Sequence, residues 1–300
     1  MSYREQQRTK AVKTRDSVFK DSGQGVFKGK ARDFVLREPE SNLWEGIRQD
    51  VKEYFKTNKI PFWPGNFNEP SGHLLSSQVA CLNHLFFMRQ RKDVATEVLK
   101  ALDKNILCAR TVDTGYVEFE FIGEKNYLKE KSWTPGANCT SIDAVMIGQR
   151  FDNTKVMFFI EWKYTEKYPV ENKYIKERYQ IYDKLIQAED SPFKQVEAEG
   201  LYYEPFYQMM RQTLLAGLMT KNRDHKCSDY RHVHVIPTEN KDLLETVTSP
   251  KLKGKNITEA WRAILRTPDR YITVSPEEFM EPVNKCRDCK SVLSYLKKRY

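Results

Sequence analysis

The chain has 300 residues, of which 40% are hydrophobic and 30% are charged, and its formal net charge is +9. This length suffices to bury a sizeable core, and the composition is typical of a globular protein. The apolar runs are too short to span a bilayer, and the first residues lack the apolar stretch of a secretory signal. We therefore expect a soluble, cytoplasmic protein without a membrane partner.

The basic excess lies at the two ends of the chain. Residues 1–30 hold eight Lys or Arg against three Asp or Glu, and residues 285–300 hold six against one, so each end has a net charge of +5. The remaining residues therefore have a net charge of −1. Residues 1–30 lack hydrophobic periodicity, which predicts a flexible basic arm. Such ends either reach phosphates or are merely solvated, and the sequence leaves both open.

Six widely spread cysteines predict reduced thiols in a chain without an export signal. Cys286 and Cys289 form a single CxxC pair. A structural zinc site needs a second pair of ligands, and no spacing in the sequence requires one.

The first half of the chain predicts several helices. Residues 41–57 carry an apolar stripe at intervals of four, with Asn42 or Ser41 as the cap and Glu45 at capping-box spacing. A second helix is expected from about His73 to Gln90, and a third from Asp93 to Leu102. Residues 60–72 contain prolines, glycines and aromatics and predict an apolar loop.

Residues 116–122, YVEFEFI, alternate between two faces and predict the first strand of a sheet. Glu118 and Glu120 share one face, and either could supply a carboxylate to a metal. Glu120 is favoured because it lies nearer the end of the strand. The exposed polar face of an edge strand explains these residues equally well.

The stretch SIDAVMIGQRFDNTKVMFFIEWKYTE, residues 141–166, predicts two strands joined by a polar turn. Asp143 lies at the start of the first strand, and Glu161 and Lys163 lie at the end of the second. The five apolar residues from Val156 to Ile160 are typical of a strand that is buried on both faces.

Side chains alternate along a strand, so Glu161 and Lys163 point to one side, about 7 Å apart along the chain, and Trp162 packs on the other. A carboxylate and an amine beside an apolar strand are costly unless each has a partner. A divalent cation, held by Asp143, Glu161 and the Trp162 carbonyl, would be such a partner. A buried ion pair without a metal is the alternative.

The pattern Asp143…Glu161-x-Lys163 across a hairpin resembles the PD-(D/E)XK nuclease superfamily. The strings PGANCTSIDAV, FFIEWKYTEKY and HLLSSQVACLNHLF are similar to a bacterial restriction-endonuclease-like group within it. Ile142 stands where the superfamily pattern has proline, and the upstream acidic residue of the pattern is not evident.

The resemblance implies an α/β (α+β) fold with a restriction-endonuclease-like core, in which helices flank a mixed central β-sheet. It implies a metal-dependent nuclease of restriction or defence type, with Asp143, Glu161 and Lys163 as catalytic residues and DNA rather than RNA as substrate. Mg²⁺, replaceable by Mn²⁺, would bind Asp143, Glu161 and the Trp162 carbonyl and lower the pKa of a bound water. Lys163 would orient this water or stabilise the transition state.

The resemblance also directs attention to two glutamines. A helix before the hairpin often supplies a polar ligand in such folds, which makes Gln78 a candidate, although a helix-surface amide is the simpler interpretation. Gln208, on the predicted helix 204–220, would help to place the substrate.

Candidate DNA-binding residues lie on two predicted helices. Lys176 and Arg178 alternate with tyrosines on the predicted helix 171–187, a pattern that suits phosphates and stacked bases but also suits a solvated face. Arg211 lies on the polar side of the helix 204–220.

We expect residues 31–300 to form one nuclease-like domain with helical additions at both ends. A homodimer is compatible with the resemblance, because many such nucleases cut both strands as dimers. A catalytically silent nucleic-acid-binding or scaffold protein on the same fold is the alternative function.

Overall fold

The computed structural model describes residues 1–135 and 139–300, without the side chain of Arg178. Asn138, which the sequence offers equally as a phosphate contact or as a brace of the turn before Asp143, lies outside this part. The described strands are β1 Gly25–Phe27, β2 Lys30–Arg32, β3 Ile106–Arg110, β4 Glu118–Phe121, β5 Ile142–Arg150, β6 Lys155–Trp162, β7 Asp229–Val235 and β8 Tyr271–Val274.

The described helices lie around these strands, and the helices that the sequence predicts are among them. They are α1 Tyr3–Thr14, α2 Arg48–Thr57, α3 Ser77–Leu85, α4 Lys92–Leu102, α5 Lys176–Ile186, α6 Phe206–Lys221, α7 Lys241–Leu244, α8 Ile257–Ile264, α9 Pro276–Met280 and α10 Lys290–Arg299. No helix within the described residues is long and apolar enough to cross a membrane.

The central sheet is mixed and has six strands in the order β3-β5-β6-β7-β8, with β4 also paired to β5. β5 and β6 form the predicted antiparallel hairpin, whereas β7 and β8 continue the sheet in parallel. Helices flank the sheet, which confirms the expected α/β class and the mixed sheet.

Two strands of the sheet, β3 and β8, are missing from the sequence interpretation. β3 precedes β4 in the chain, so the expectation that residues 116–122 form the first strand is wrong. β4 pairs with the first half of β5 and β3 with the second half. Only two of the five residues of β3 are fully buried, so its sequence carries little of the expected alternation.

Two apolar layers cover the two faces of the sheet. The residues of β5 and β6 alternate between them: Ala144, Phe158 and Trp162 pack into one layer, and Val145 and Phe159 into the other. The first layer includes α3 and α4, and the second includes α6 and α8. β5 and β6 are therefore packed on both faces.

The helix expected over residues 41–57 begins only at Arg48. Asn42, expected to cap it, is instead buried and donates to the carbonyl oxygens of Ser71 and His73 while it accepts from Arg299. Tertiary hydrogen bonds have replaced the local cap, and the sequence pattern alone does not distinguish the two.

The N-terminal segment is not irregular throughout. Ser2 and Glu5 form a capping box at the start of α1, and Tyr3 and Ala11 are buried. Residues 3–14 therefore form a regular helix, although their few buried residues form almost no apolar stripe. The division of the chain into an arm and one domain stays a prediction.

Candidate active site

The hairpin brings Asp143 and the end of β6 together. Asp143, the second residue of β5, accepts a hydrogen bond from the backbone N–H of Trp162 through Oδ2 at 2.7 Å. The Trp162 side chain is buried in the layer on the opposite face, 4.5 Å from His84 between ring centroids. The backbone between Glu161 and Lys163 is therefore fixed by both a hydrogen bond and an apolar anchor.

Glu161 and Lys163 form a nearly dry ion pair. Lys163 Nζ lies 2.6 Å from Glu161 Oε1, and the two side chains are 6% and 2% exposed. Gln208 of α6 joins both groups, because its Oε1 accepts from Lys163 at 2.6 Å and its Nε2 donates to Glu161 Oε1 at 2.8 Å. Gln212, one turn further along α6, donates to Glu161 Oε2 and to the Ser141 carbonyl.

A second carboxylate lies on the other side of Asp143. Glu120 accepts hydrogen bonds from Gln78 Nε2 at 2.7 Å and from Ser141 Oγ at 3.3 Å. Its φ is +49°, in the left-handed region that non-glycine residues seldom adopt. Strained backbone of this kind persists where the surrounding structure fixes it, and it is concentrated at functional sites.

Burial and neighbouring charges shift the pKa of Asp143, Glu120 and Lys163. Burial raises the pKa of Asp143 well above its usual range, and the charges of Glu161 and Glu120 raise it further. Burial and the Glu161 charge likewise raise the pKa of Glu120. Burial alone would lower the pKa of Lys163, but the neighbouring carboxylates, Glu161 above all, raise it overall. Ionisation of Asp143 and Glu120 is therefore costly at this site.

Asp143 and Glu120 line a cleft of about 520 Å³. Gln78 of α3, Trp63 from the apolar loop, Arg4 of α1 and Lys167 line the same cleft. The sequence-predicted residues Glu120, Gln78 and Gln208 thus all lie at the site, and the cleft gives a substrate access to two of the carboxylates.

The donor set fits a hard divalent cation. Within the residues that the structure describes, no group of three or more His, Cys, Asp or Glu side chains has the arrangement to hold a metal alone. Mg²⁺ is usually held by one or two carboxylates, with waters and substrate phosphates in the other positions. Two cleft-facing carboxylates, Asp143 and Glu120, meet that need, with Glu161 behind them.

Two of the predicted nucleic-acid-binding residues, Arg211 and Lys176, do not line the cleft. Arg211 packs internally, with Nη1 3.5 Å from Thr140 Oγ1 and its guanidinium 4.6 Å from the centre of the Tyr207 ring. Lys176 is exposed at the start of α5. The side chain of Arg178 lies outside the described residues.

Two histidines beside the site have no role in the sequence interpretation of catalysis. His232 and His234 lie on β7, and the register pairs His234 with Glu161. Burial lowers the pKa of His232 to about 3 and lowers that of His234 well below its ordinary value, so both rings are neutral at pH 7. Their Nδ1 atoms bond Thr213 and Tyr271, an arrangement for which the alternating pattern HVHV is the only sequence signal.

Gln212 contacts Glu161 at the site, but the sequence interpretation does not include it among the site residues. An amide on an apolar helix resembles a surface residue in the sequence, yet Gln212 is only 1% exposed. We expect Gln212→Leu to lower the free energy of unfolding by about 1–3 kcal/mol, because Glu161 Oε2 and the Ser141 carbonyl each lose a buried donor. Urea denaturation measures this. An equal loss in Gln187→Leu, at an exposed position, would contradict it.

Comparison with known proteins identifies the family. No curated protein and no solved structure matches the chain. A family model described as Restriction Endonuclease associating with ARP matches residues 6–300, which include all the carboxylates, amides and the lysine of the site. The chain therefore belongs to this restriction endonuclease family.

Proposed function

We propose that the protein is a Mg²⁺-dependent DNA endonuclease whose active site is the cluster of Asp143, Glu120, Glu161 and Lys163. The observation that carries this proposal is that the carboxylates of Asp143 and Glu120 line a cleft, with the buried ion pair of Glu161 and Lys163 and its amide hydrogen bonds directly behind them. Membership in a restriction endonuclease family supports DNA hydrolysis as the reaction. The carboxylates of the site support Mg²⁺ as the bound metal.

Asp143 and Glu161 would hold Mg²⁺, with the Trp162 carbonyl as a further ligand and Glu120 as a carboxylate that faces the cleft. Glu161 accepts three hydrogen bonds, and a carboxylate has about four lone-pair directions, so one stays available. When bound, the metal supplies charge neutralisation of the phosphate and a bound water of lowered pKa.

The protein's own groups position the reaction. Gln208 and Glu161 fix Lys163 Nζ at hydrogen-bonding distance from both, so its charge is preorganised for the negative charge that develops on the attacked phosphate. Trp162, through its N–H, holds the Asp143 carboxylate toward the cleft. These side chains need little rearrangement when a phosphate enters.

The test is cleavage of supercoiled, linear and single-stranded DNA, and of RNA, in Mg²⁺, Mn²⁺ or EDTA. We expect DNA to be cut in both metals and to be intact in EDTA. Cutting of RNA alone would change the substrate class. Binding without any cutting would favour the silent nucleic-acid-binding alternative.

We also expect DNA affinity to fall steeply with salt, because phosphate contacts release condensed counterions. If about six phosphates are contacted, affinity falls about 1000-fold between roughly 50 and 200 mM salt. Fluorescence anisotropy of a labelled duplex at several salt concentrations gives the slope. A salt-independent affinity would argue against contact with the DNA backbone.

The family description also names an association with ARP. We extend this association to the present chain as a proposal about its protein partner. Copurification of the two proteins tests it, and separate elution at micromolar concentrations would contradict it. A homodimer likewise stays a prediction, to be tested by light scattering.

A further inference from the structure

Trp63 lies on the rim of the cleft and has no part in the chemistry proposed above. It lines the cleft with Asp143 and Glu120, yet 45% of its surface is exposed. Its neighbour Phe62 is fully buried and stacks on Phe55 with 4.3 Å between ring centroids. The loop is therefore anchored by one aromatic residue and presents the next one at the site.

The Trp63 ring is supported from behind. Phe27, in the hairpin of β1 and β2, lies 5.3 Å from it between centroids at an interplanar angle of 37°, and His73 lies edge-on at 6.3 Å. Lys28 Nζ lies 5.6 Å from the centroid of Phe27. An aromatic ring that is both supported and exposed offers a contact surface at low cost in side-chain entropy.

Gln78 connects this loop to the carboxylates. Its Oε1 accepts from the Trp63 backbone N–H at 2.9 Å, and its Nε2 donates to Glu120 at 2.7 Å. The Gln78 side-chain amide therefore sets the position of the Trp63 backbone relative to Glu120, one of the carboxylates of the proposed metal site. The distance between the Trp63 backbone and Glu120 is therefore fixed for any ligand that contacts both the ring and the carboxylates.

Exposed cations lie in the cleft and in the hairpin that supports the Trp63 ring. Arg4 and Lys167 line the same cleft, and Lys28 and Lys30 are exposed in the hairpin that supports Trp63. Cations at the edge of an aromatic platform suit a nucleic-acid strand, because they contact phosphates while the ring contacts a base.

We propose that Trp63 is a base-binding site, which stacks on an unpaired nucleobase of the DNA strand whose phosphate lies at Asp143 and Glu120. This inference rests on the proposed function. Bases inside a duplex are stacked on each other, so a base reaches Trp63 only after it leaves the stack, which is easiest at a mismatch or in a single strand. The site therefore favours single-stranded or distorted DNA near the cut.

The experiment compares wild type with Trp63→Ala, Trp63→Phe and Phe151→Ala. Phe151 is a matched control, because it is 67% exposed and lies in the turn at the other end of the hairpin from Asp143. A single-stranded oligonucleotide that carries fluorescent 2-aminopurine is titrated in Ca²⁺, so that binding is measured without reliance on cleavage. Circular dichroism melts of all four proteins establish that they are folded.

We expect Trp63→Ala to bind the single strand about 5- to 150-fold more weakly, the range that loss of one stacked base implies. It should also lose the 2-aminopurine quenching that wild type shows. Trp63→Phe should retain most of the affinity, and Phe151→Ala all of it. A Trp63→Ala protein that binds and quenches like Phe151→Ala would overturn the base-binding site.

Cleavage assays on the same preparations separate the two proposals. If wild type cuts DNA and Trp63→Ala binds normally, the base site is wrong and the nuclease stands. If no protein cuts DNA in any metal but Trp63→Ala loses affinity, the base site stands on a silent DNA-binding protein. Absence of wild-type binding to the oligonucleotide would overturn the base site.

Discussion

Asp143→Asn is expected to abolish cleavage and at the same time to stabilise the metal-free protein. Loss of a metal-binding carboxylate removes several kcal/mol of charge stabilisation, which corresponds to a fall of about 1000-fold or more in the cleavage rate. The amide oxygen of Asn still accepts from the Trp162 N–H, so the hydrogen bond at the end of β6 is retained.

The stability gain follows from the direction of the pKa shift. Burial and two neighbouring carboxylates raise the pKa of Asp143 in the folded protein, so the folded state binds a proton more tightly than the unfolded state does. Ionisation of Asp143 therefore destabilises the fold as pH rises above the unfolded value of about 4. Asp143→Asn removes this penalty, and its advantage over wild type should be larger at pH 7 than at pH 4.

Urea denaturation in EDTA at the two pH values measures the effect, with Asp152→Asn as the control. Asp152 lies in the exposed turn of the same hairpin, where hydrogen bonds from Thr154 lower the pKa of its carboxyl group. Its replacement should not stabilise the protein. A destabilised Asp143→Asn protein would instead indicate that Asp143 is part of a stabilising ion pair with no metal.

Lys163→Met is expected to reduce both cleavage and stability. Loss of one preorganised charge at the transition state lowers the cleavage rate about 100- to 1000-fold. The substitution also leaves Glu161 as a buried charge without its cation, and breaking a buried pair costs about 3–5 kcal/mol of unfolding free energy. The donors from Gln208 and Gln212 remain, so the lower end of that range is expected.

The double variant Glu161→Gln with Lys163→Met separates the two effects. It removes both charges, so stability should return toward that of wild type, while cleavage should stay lost. Lys221→Met is the control, because the ion pair of Lys221 with Asp190 is 64% and 55% exposed and contributes about 1 kcal/mol or less. Recovery of cleavage in the double variant would show that Lys163 acts on stability alone.

The local patterns predict the hairpin well. The apolar run from Val156 to Ile160 and the polar turn before it are local features of the sequence. The structure has β5 and β6 on the two sides of that turn. The same applies to α4 and α6. Each of these elements has a stripe or a run that the chain itself specifies.

The sequence predictions fail where tertiary contacts determine the position of a side chain. Asn42 has the sequence of a helix cap, but a partner more than 250 residues away, Arg299, engages its side chain. Gln212 has the sequence of a surface amide, but the end of β6 lies against it. Glu120 and Gln78 were uncertain candidates because nothing in their local patterns shows that a strand and a helix place them beside Asp143.

The hydrogen bonds at Glu161 also bear on how the enzyme forms. The side chains of the site come from α3, β4, β5, β6 and α6, so it requires contacts between distant parts of the sequence, which form slowly. A nascent chain that has made β5 and β6 but not α6 holds Glu161 and Lys163 without the amides that orient them. If the proposed function is correct, the complete set of side chains around Glu161 forms only after α6 has packed against the hairpin.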